Sequence, residues 1–391
     1  MYNYNFPVDY QSILNRLERV DVVKYGKTRN FIFGKISYLS PYISRGVISL
    51  PFIKEYILNK FSKEDALPFI YELAWREYYQ RTYFQIGDKV LEDIRHPQTD
   101  VLNYEVPEAL VKHQTKILTI DEQIKTMYKT GYMHNHTRMY IASLACNIGK
   151  SHWLMPARWM YYNVLDGDIA SNLLSWQWIA GTFSNKKYVA NQDNLNYYTN
   201  SIQRMTFIDC TYEQLTQMNQ PEVLRKTMVP ELKLHIDRFK ETYEKPLELN
   251  YDLPLLLYNS YNLDPLWHKD LKANRILLLE PSHFKKFPVS DRVLEFIISL
   301  RINIPGIQVL IDDFENIPQL NQFKTVRYKK HPSVAHYSGI SEKQEWLFPE
   351  VHEKFYNTFS GFWNICQKFY TGEMSLNKND SKKDKIIYQE K

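Results

Sequence analysis

The apolar residues of this chain change period near Pro246, and that change limits the folds open to it. Upstream, Ser12–Arg19, Lys54–Phe61, Leu67–Phe84, Ile120–Tyr128, Arg138–Asn147 and Pro156–Val164 carry apolar side chains at three- and four-residue spacing, the signature of buried helix faces. Thr119-Ile-Asp-Glu122 has the form of a capping box, and the polar, Asn/Tyr-rich stretch Ser184–Ser201 reads as an ordered loop. Downstream, Leu253–Tyr258, Arg275–Leu279 and Gln308–Ile311 are short apolar runs of strand length. A helical stretch, Ser290–Ile302, separates the last two, and Thr325–Tyr328 adds a further strand-like run. Strands alternating with helices through tight connections define a small parallel α/β unit. Residues 340–370 return to a helical pattern, and the Lys/Asn/Asp/Ser-rich end reads as disordered. The expected fold is mainly α: an all-helical domain over residues 1–245, a small α/β domain with a C-terminal helix over 246–372, and a disordered tail over 373–391.

Composition removes several function classes. No run approaches 18 apolar residues, so no membrane-spanning helix is expected, and Met1–Phe6 lacks the basic and apolar regions of a signal peptide. Cys146, Cys210 and Cys366 are isolated, which argues against a disulfide framework or a thiolate metal site and for a reducing cytoplasm. A monomer without a metal is the expectation. Lys and Arg number 49 against 44 Asp and Glu, a net charge of +5, so a nucleic-acid partner must be met by a local patch. The unusual feature is the aromatic share, 15%, with 30 Tyr and 8 Trp.

Three clusters carry chemistry. In Glu72-Leu-Ala-Trp75-Arg76-Glu77-Tyr78-Tyr79, residues Glu72, Trp75, Arg76 and Tyr79 share one helix face. A solvated Glu–Arg pair beside a half-buried Trp is the commoner meaning of such a face. Leu73 and Ala74, however, suggest that the opposite side is packed too, as in a helix lining a ligand cavity. In Gly131-Tyr-Met-His134-Asn135-His136-Thr-Arg138-Met139, Asn135, Arg138 and Met139 share a face, while His134 and His136 at i and i+2 do not, so they read as polar or capping residues rather than a metal pair. The third cluster, Asp166-Gly-Asp168-Ile-Ala-Ser-Asn172-Leu-Leu-Ser-Trp176-Gln-Trp178, lacks the further oxygen ligands of a calcium loop.

Together with Tyr25…Arg29-Asn30…Ile36-Ser37-Tyr38-Leu39-Ser40-Pro41, these blocks resemble, in order and content, the flavin-binding helical domain of the photolyase/cryptochrome family, from about Phe6 to Tyr198. The resemblance implies an FAD cofactor, active when reduced, and UV-damaged DNA as partner. It assigns Tyr25, Ser37, Leu39 and Ser40 to the ribose and phosphates and Arg76 to the flavin. It makes Arg138 and Asp166 an ion pair beside the isoalloxazine ring, Asp168 a carboxylate at its O2/N3 edge, and Asn172 the amide facing N5. An amide there is the pattern of the repair enzymes. Glu72, Trp75, Asn135, Met139 and Trp178 match the family's pocket for a cyclobutane pyrimidine dimer: the two Trp as a wedge for flipped bases, Glu72 as hydrogen-bond partner of the lesion. Trp176 and Trp153 match the inner members of the tryptophan chain that photoreduces the flavin.

The chain departs from the family pattern in places. Ile36 stands where the family usually has Thr. No Trp lies between Trp75 and Trp153, so the distal donor is missing; Tyr104 and Trp159 are the two candidates to replace it. The helical domain comes first, and the strand–helix–strand from Ile276 to Ile311 looks like the family's antenna domain. The resemblance therefore implies a permuted arrangement, with an unrelated α/β appendage as the alternative and any second chromophore unassigned. Lys186 and Lys187 suit phosphate contacts or a plain solvated pair. The implied activity is light-driven repair of cyclobutane pyrimidine dimers; the alternative is a cryptochrome-like blue-light sensor without repair.

Overall fold

The computed structural model describes residues 4–376 and 386–388. Its longest helix, Lys63–Ile86, starts where Ser62 accepts a hydrogen bond from the Asp65 N–H, with Glu64 and Asp65 favouring the positive end of the helix dipole. Buried Ala66, Phe69, Ile70, Leu73, Ala74, Tyr78, Tyr79 and Tyr83 surround it on several sides, so it runs through the core rather than over it. Helices Val22–Thr28, Leu50–Leu58, Ile169–Ala180 and Phe359–Thr371 pack against it. Helix Leu118–Thr130 ends at Gly131, whose φ of +70 suits a residue without Cβ. A Cβ there would also lie 2.7 Å from the Leu165 side chain. That tight turn sets the start of helix Asn135–Ala142, which His134 caps by accepting from the His136 N–H.

The α/β part is a five-stranded parallel sheet: β1 (Leu255–Tyr258), β2 (Asn274–Leu278), β3 (Ile307–Leu310), β4 (Val326–Lys329) and β5 (Ile340–Glu342), in the order β3-β2-β1-β4-β5. β1 is buried on both faces, as an all-parallel sheet requires. The order reverses between β1 and β4, so a crevice opens at their carboxyl ends. After β5 the chain returns to the helical part. There Glu77 and Arg81, a buried i,i+4 ion pair with N–O 3.0 Å, clamp it. Arg81 donates to the carbonyls of Phe348 and Val351, and Glu77 accepts from the Leu347 and Phe348 N–H groups.

Several elements differ from the sequence reading. Ser184–Ser201 is not all loop: Asn191 caps a helix, Gln192–Thr199, by accepting from the Asn194 N–H. Thr119 is no cap, because helix Leu118–Thr130 begins before it; Asp121 instead accepts from the backbone and hydroxyl of Thr115. Residues 340–370 are not continuously helical, since β5 opens the segment and the helix starts only at Phe359. Arg138–Asn147 is split into the helix Asn135–Ala142 and a π-helical turn, Ser143–Ile148. The helical region also holds a small antiparallel ladder, Val106–Pro107 with Thr227–Met228. The tail is not wholly irregular: Met374–Leu376 pairs antiparallel with Ile386–Tyr388, and the other residues after Leu376 lie outside the described residues.

Candidate functional site

The three clusters and the upstream segment meet around one face of helix Lys63–Ile86. The short helix Ser40–Ser44 docks on the Asp166 loop: the Ser44 hydroxyl donates to the Asp166 carbonyl at 2.9 Å, and buried Arg45 donates to the Leu165 carbonyl at 3.1 Å. Arg76 reaches the same Ser44 hydroxyl at 2.7 Å. Tyr38, just before this helix, has φ +54, a costly conformation for an aromatic residue.

The charged pairs are built. Arg138 donates to both oxygens of Asp166 at 2.9 Å and to the Met133 carbonyl. Asp168 caps helix Ile169–Ala180 by accepting from the Ser171 N–H, while its other oxygen takes a hydrogen bond from Gln80 and lies 3.8 Å from Arg76. One turn on, Asn172 donates its amide to the Ala157 carbonyl at 2.9 Å, which leaves Oδ1 as the free, accepting end. Burial pushes the Glu72 carboxyl up, opposed by Arg29, whose Nε lies 3.1 Å away. Tyr25 stands edge-on to Phe69, and burial pushes its phenol up as well.

The aromatic wall lies alongside. Trp75 and Trp178 meet edge to face at 6.4 Å. Behind Trp75, Phe359 stacks at 3.6 Å and 11°, supplied by the C-terminal helix. Asn135 is exposed at the first turn of its helix, with half-buried Met139 one turn further. Leu39, Trp176 and Trp153 are buried in the core. Ser37 and Ser40 are partly exposed. Lys187 is held by Asp100 at 2.8 Å, while Lys186 is exposed.

Four partners escaped the sequence reading. Gln80 was legible, since it sits one turn beyond Arg76 on the same face. The pairing of Arg29 with Glu72, the Phe359 stack and Asp93, which accepts from the Trp153 indole N–H at 2.6 Å, join distant segments and left no local signal. A cavity of about 80 Å³ was also missed. It joins Ser44, Arg76 and Asp168 to Asn259, Asn262 and His331 at the carboxyl ends of β1 and β4. The side-chain amides of Asn259 and Asn262 have buried polar atoms there without a protein partner.

The donor set fits a flavin dinucleotide. The accepting Asn172 oxygen, the Arg138–Asp166 and Arg76–Asp168 pairs and two partly exposed serines supply acceptors, donors and fixed charge, and the second pair lines the cavity. Among the described residues no group of His, Cys, Asp and Glu is placed to hold a metal, and no helix is long and apolar enough to cross a membrane.

Comparison with known proteins agrees. Residues 69–248 match the family model described as the FAD binding domain of DNA photolyase. The deoxyribodipyrimidine photo-lyase of Alkalihalophilus pseudofirmus is 30% identical over 154 residues, 37% of this chain and 31% of that one. The cryptochrome DASH of Danio rerio is 27% identical over 195 residues, 46% of this chain and 37% of that one. A bacterial class III photolyase from Agrobacterium tumefaciens superposes with TM-score 0.41 at 24% identity, covering 44% of this chain and 38% of that one. The Synechocystis cryptochrome gives 0.43 at 22%, covering 51% and 46%. Superpositions this loose leave the assignment to the sequence match. Over residues 69–248 the chain is thus similar to the FAD-binding domain of the photolyase/cryptochrome family, and FAD is the cofactor that this match supports. The chain spans about a third of the length of these curated relatives.

Proposed function

We propose that this chain is a light-driven, FAD-dependent lyase that repairs cyclobutane pyrimidine dimers in DNA, working as a cytoplasmic monomer. The observation that carries the reading is the edge-to-face pair Trp75–Trp178 beside the desolvated Glu72. Two indoles at such an angle form a corner into which a flipped pyrimidine pair can stack, each stacked base contributing roughly 1–3 kcal/mol. Flipping costs a few kcal/mol, least for a damaged and poorly stacked step, so the corner also selects for lesions. Glu72, paired with Arg29, presents a carboxylate that can accept a hydrogen bond from the N–H edge of a flipped base. Asn135 and Met139, on the neighbouring helix, would close the sides.

Reduced FAD, when bound, supplies a light-excitable one-electron donor. The chain's share is to orient it: Arg138, Asp166, Arg76 and Asp168 would fix the ring edge, Asn172 would accept at N5, and Tyr25, Ser37, Leu39 and Ser40 would hold the ribose and phosphates. Trp176 and Trp153 would carry electrons inward when the flavin is oxidised.

A blue-light sensor without repair is the second reading, favoured by relatives named cryptochrome DASH. Binding separates the two. The purified chain should carry flavin absorbance and prefer dimer-containing to undamaged oligonucleotide, with affinity falling as salt rises. A flavin-loaded chain that binds both DNAs equally would support the sensor.

A further inference from the structure

The loop before Val106 and the segment before helix Leu154–Asn163 are strapped together. The His152 N–H donates to the Asn103 carbonyl and the Leu102 N–H to the Lys150 carbonyl, both at 2.8 Å. Ser151 donates to the Asn103 side chain at 2.9 Å, and Gln98 bridges the Ser151 carbonyl and the Trp153 N–H. The strap puts three rings in line. The Tyr104 ring stacks on His152 with centroids 5.1 Å apart and planes at 27°, and the His152 ring lies 5.7 Å from Trp153. Trp153 is fully buried, whereas Tyr104 is 71% exposed. One carboxylate ties the inner pair: Asp93 Oδ1 accepts from the Trp153 indole N–H at 2.6 Å and lies 3.3 Å from His152 Nε2. The Leu154 N–H points at His152 Nδ1, which makes Nε2 the protonated nitrogen.

From this geometry we propose that Tyr104 is the terminal electron donor of the chain, reached from Trp153 across His152. The inference deepens the proposed function and rests on Trp176 and Trp153 carrying electrons to a photoexcited, oxidised flavin. When Trp153 has given up an electron, the Asp93 carboxylate on its N–H stabilises the positive charge left behind. Tyr104 then supplies one electron to Trp153 and releases its phenolic proton to the water that bathes it. Trp153 is restored, Tyr104 is left as a neutral radical, and one proton enters solvent. Escape of that proton prevents rapid return of the electron. Trp159 cannot serve as the outlet, because it is buried and its indole N–H is spent on the Tyr128 hydroxyl.

The test is spectroscopic. After a blue flash on the oxidised, flavin-loaded chain without DNA, electron paramagnetic resonance should show a tyrosyl radical that broadens or narrows with ring-deuterated tyrosine. Tyr104→Phe should abolish that signal and leave a short-lived tryptophan radical. Tyr197→Phe, at another exposed tyrosine, should change nothing. An unchanged tyrosyl signal in Tyr104→Phe overturns the proposal. Should the chain hold no flavin, tryptophan photoionised by an ultraviolet pulse poses the same question. Part of the tyrosyl growth must then vanish equally in Tyr104→Phe and Trp153→Phe, and growth indifferent to both contradicts the relay. Repair by chemically reduced enzyme is scored separately. Repair without a tyrosyl radical sinks only the relay, and a tyrosyl radical without repair sinks only the lyase reading.

Discussion

At the residue scale, the site is a set of polar groups whose free ends are fixed by what their other ends hold. Asn172 spends its amide N–H on Ala157, so its oxygen is the part left for a ligand. Asn172→Asp would place a negative charge at that point while keeping the size. It is expected to retain flavin but to alter its redox behaviour, visible as a changed yield of reduced flavin under light. Asp166 holds Arg138 in a two-pronged pair, and Asp166→Asn breaks a charge-assisted contact worth about 1.5–3 kcal/mol. Flavin retention on dilution should fall about tenfold or more; full retention would mean that the pair is only structural. Glu72→Gln keeps a hydrogen-bonding group but loses the charge balance with Arg29, and repair should slow by roughly tenfold to a hundredfold with flavin still bound.

At the element scale, the helix Lys63–Ile86 carries the site on one stripe and the structural clamp on another. Its apolar spacing was visible in the sequence over Leu67–Phe84, whereas the Ser62 cap and the polar first turn, which lie outside that spacing, were not read. The segment that braces it was not. Phe359 is 284 positions from Trp75, and no local pattern announces that stack. The helix Gln192–Thr199 was hidden for a related reason: its residues are mostly polar, and it forms because Asn191 caps it and Leu195 anchors it. The carboxylate of the inner relay, Asp93, lies in an irregular stretch where spacing carries no information. Phe359→Leu keeps an apolar side chain but loses the ring contact, worth about 0.5–1.5 kcal/mol. Lesion affinity should weaken about two- to tenfold in a binding titration, with flavin absorbance unchanged. Arg81→Met leaves the Glu77 carboxylate buried without its partner, and a denaturant midpoint should record a loss of about 3–5 kcal/mol.

At the scale of the whole molecule, the helical part and the sheet meet through half-buried histidines held uncharged. His331 lies flat against Tyr261 at 4.4 Å, and His283 reaches the Tyr261 hydroxyl, which also bonds Tyr161. Burial pushes His283 down to about 3, and His331 and His134 down to about 4. Unfolded, each would take up a proton near pH 6.5, so between that value and about 4 the unfolded chain binds protons that the folded chain refuses. Stability should therefore be full above pH 6.5 and fall as pH drops, by about 1.4 kcal/mol per unit for each histidine. Glu72 and Glu77, pushed upward, act in the opposite sense. The share of one histidine is thus isolated by comparing the wild-type slope of denaturation midpoint against pH with that of His331→Phe. The slope should flatten in the variant; identical slopes would contradict a neutral His331.

The parallel sheet was largely legible, since its core strands are continuous apolar runs, but β5 was not: Ile340–Glu342 is short and mostly exposed. The sheet's order and its return to the helical part could be found only in three dimensions. The claim that joins these scales is that the Trp75–Trp178 corner, Glu72 and the flavin groups form one repair site. The direct measurement is illumination of the flavin-loaded, reduced chain with an oligonucleotide containing a single cyclobutane thymine dimer, with intact thymines counted by chromatography against a dark control. Restoration of thymines in light alone, slowed by Glu72→Gln, is the result expected; bound flavin with no restoration in light would contradict the account.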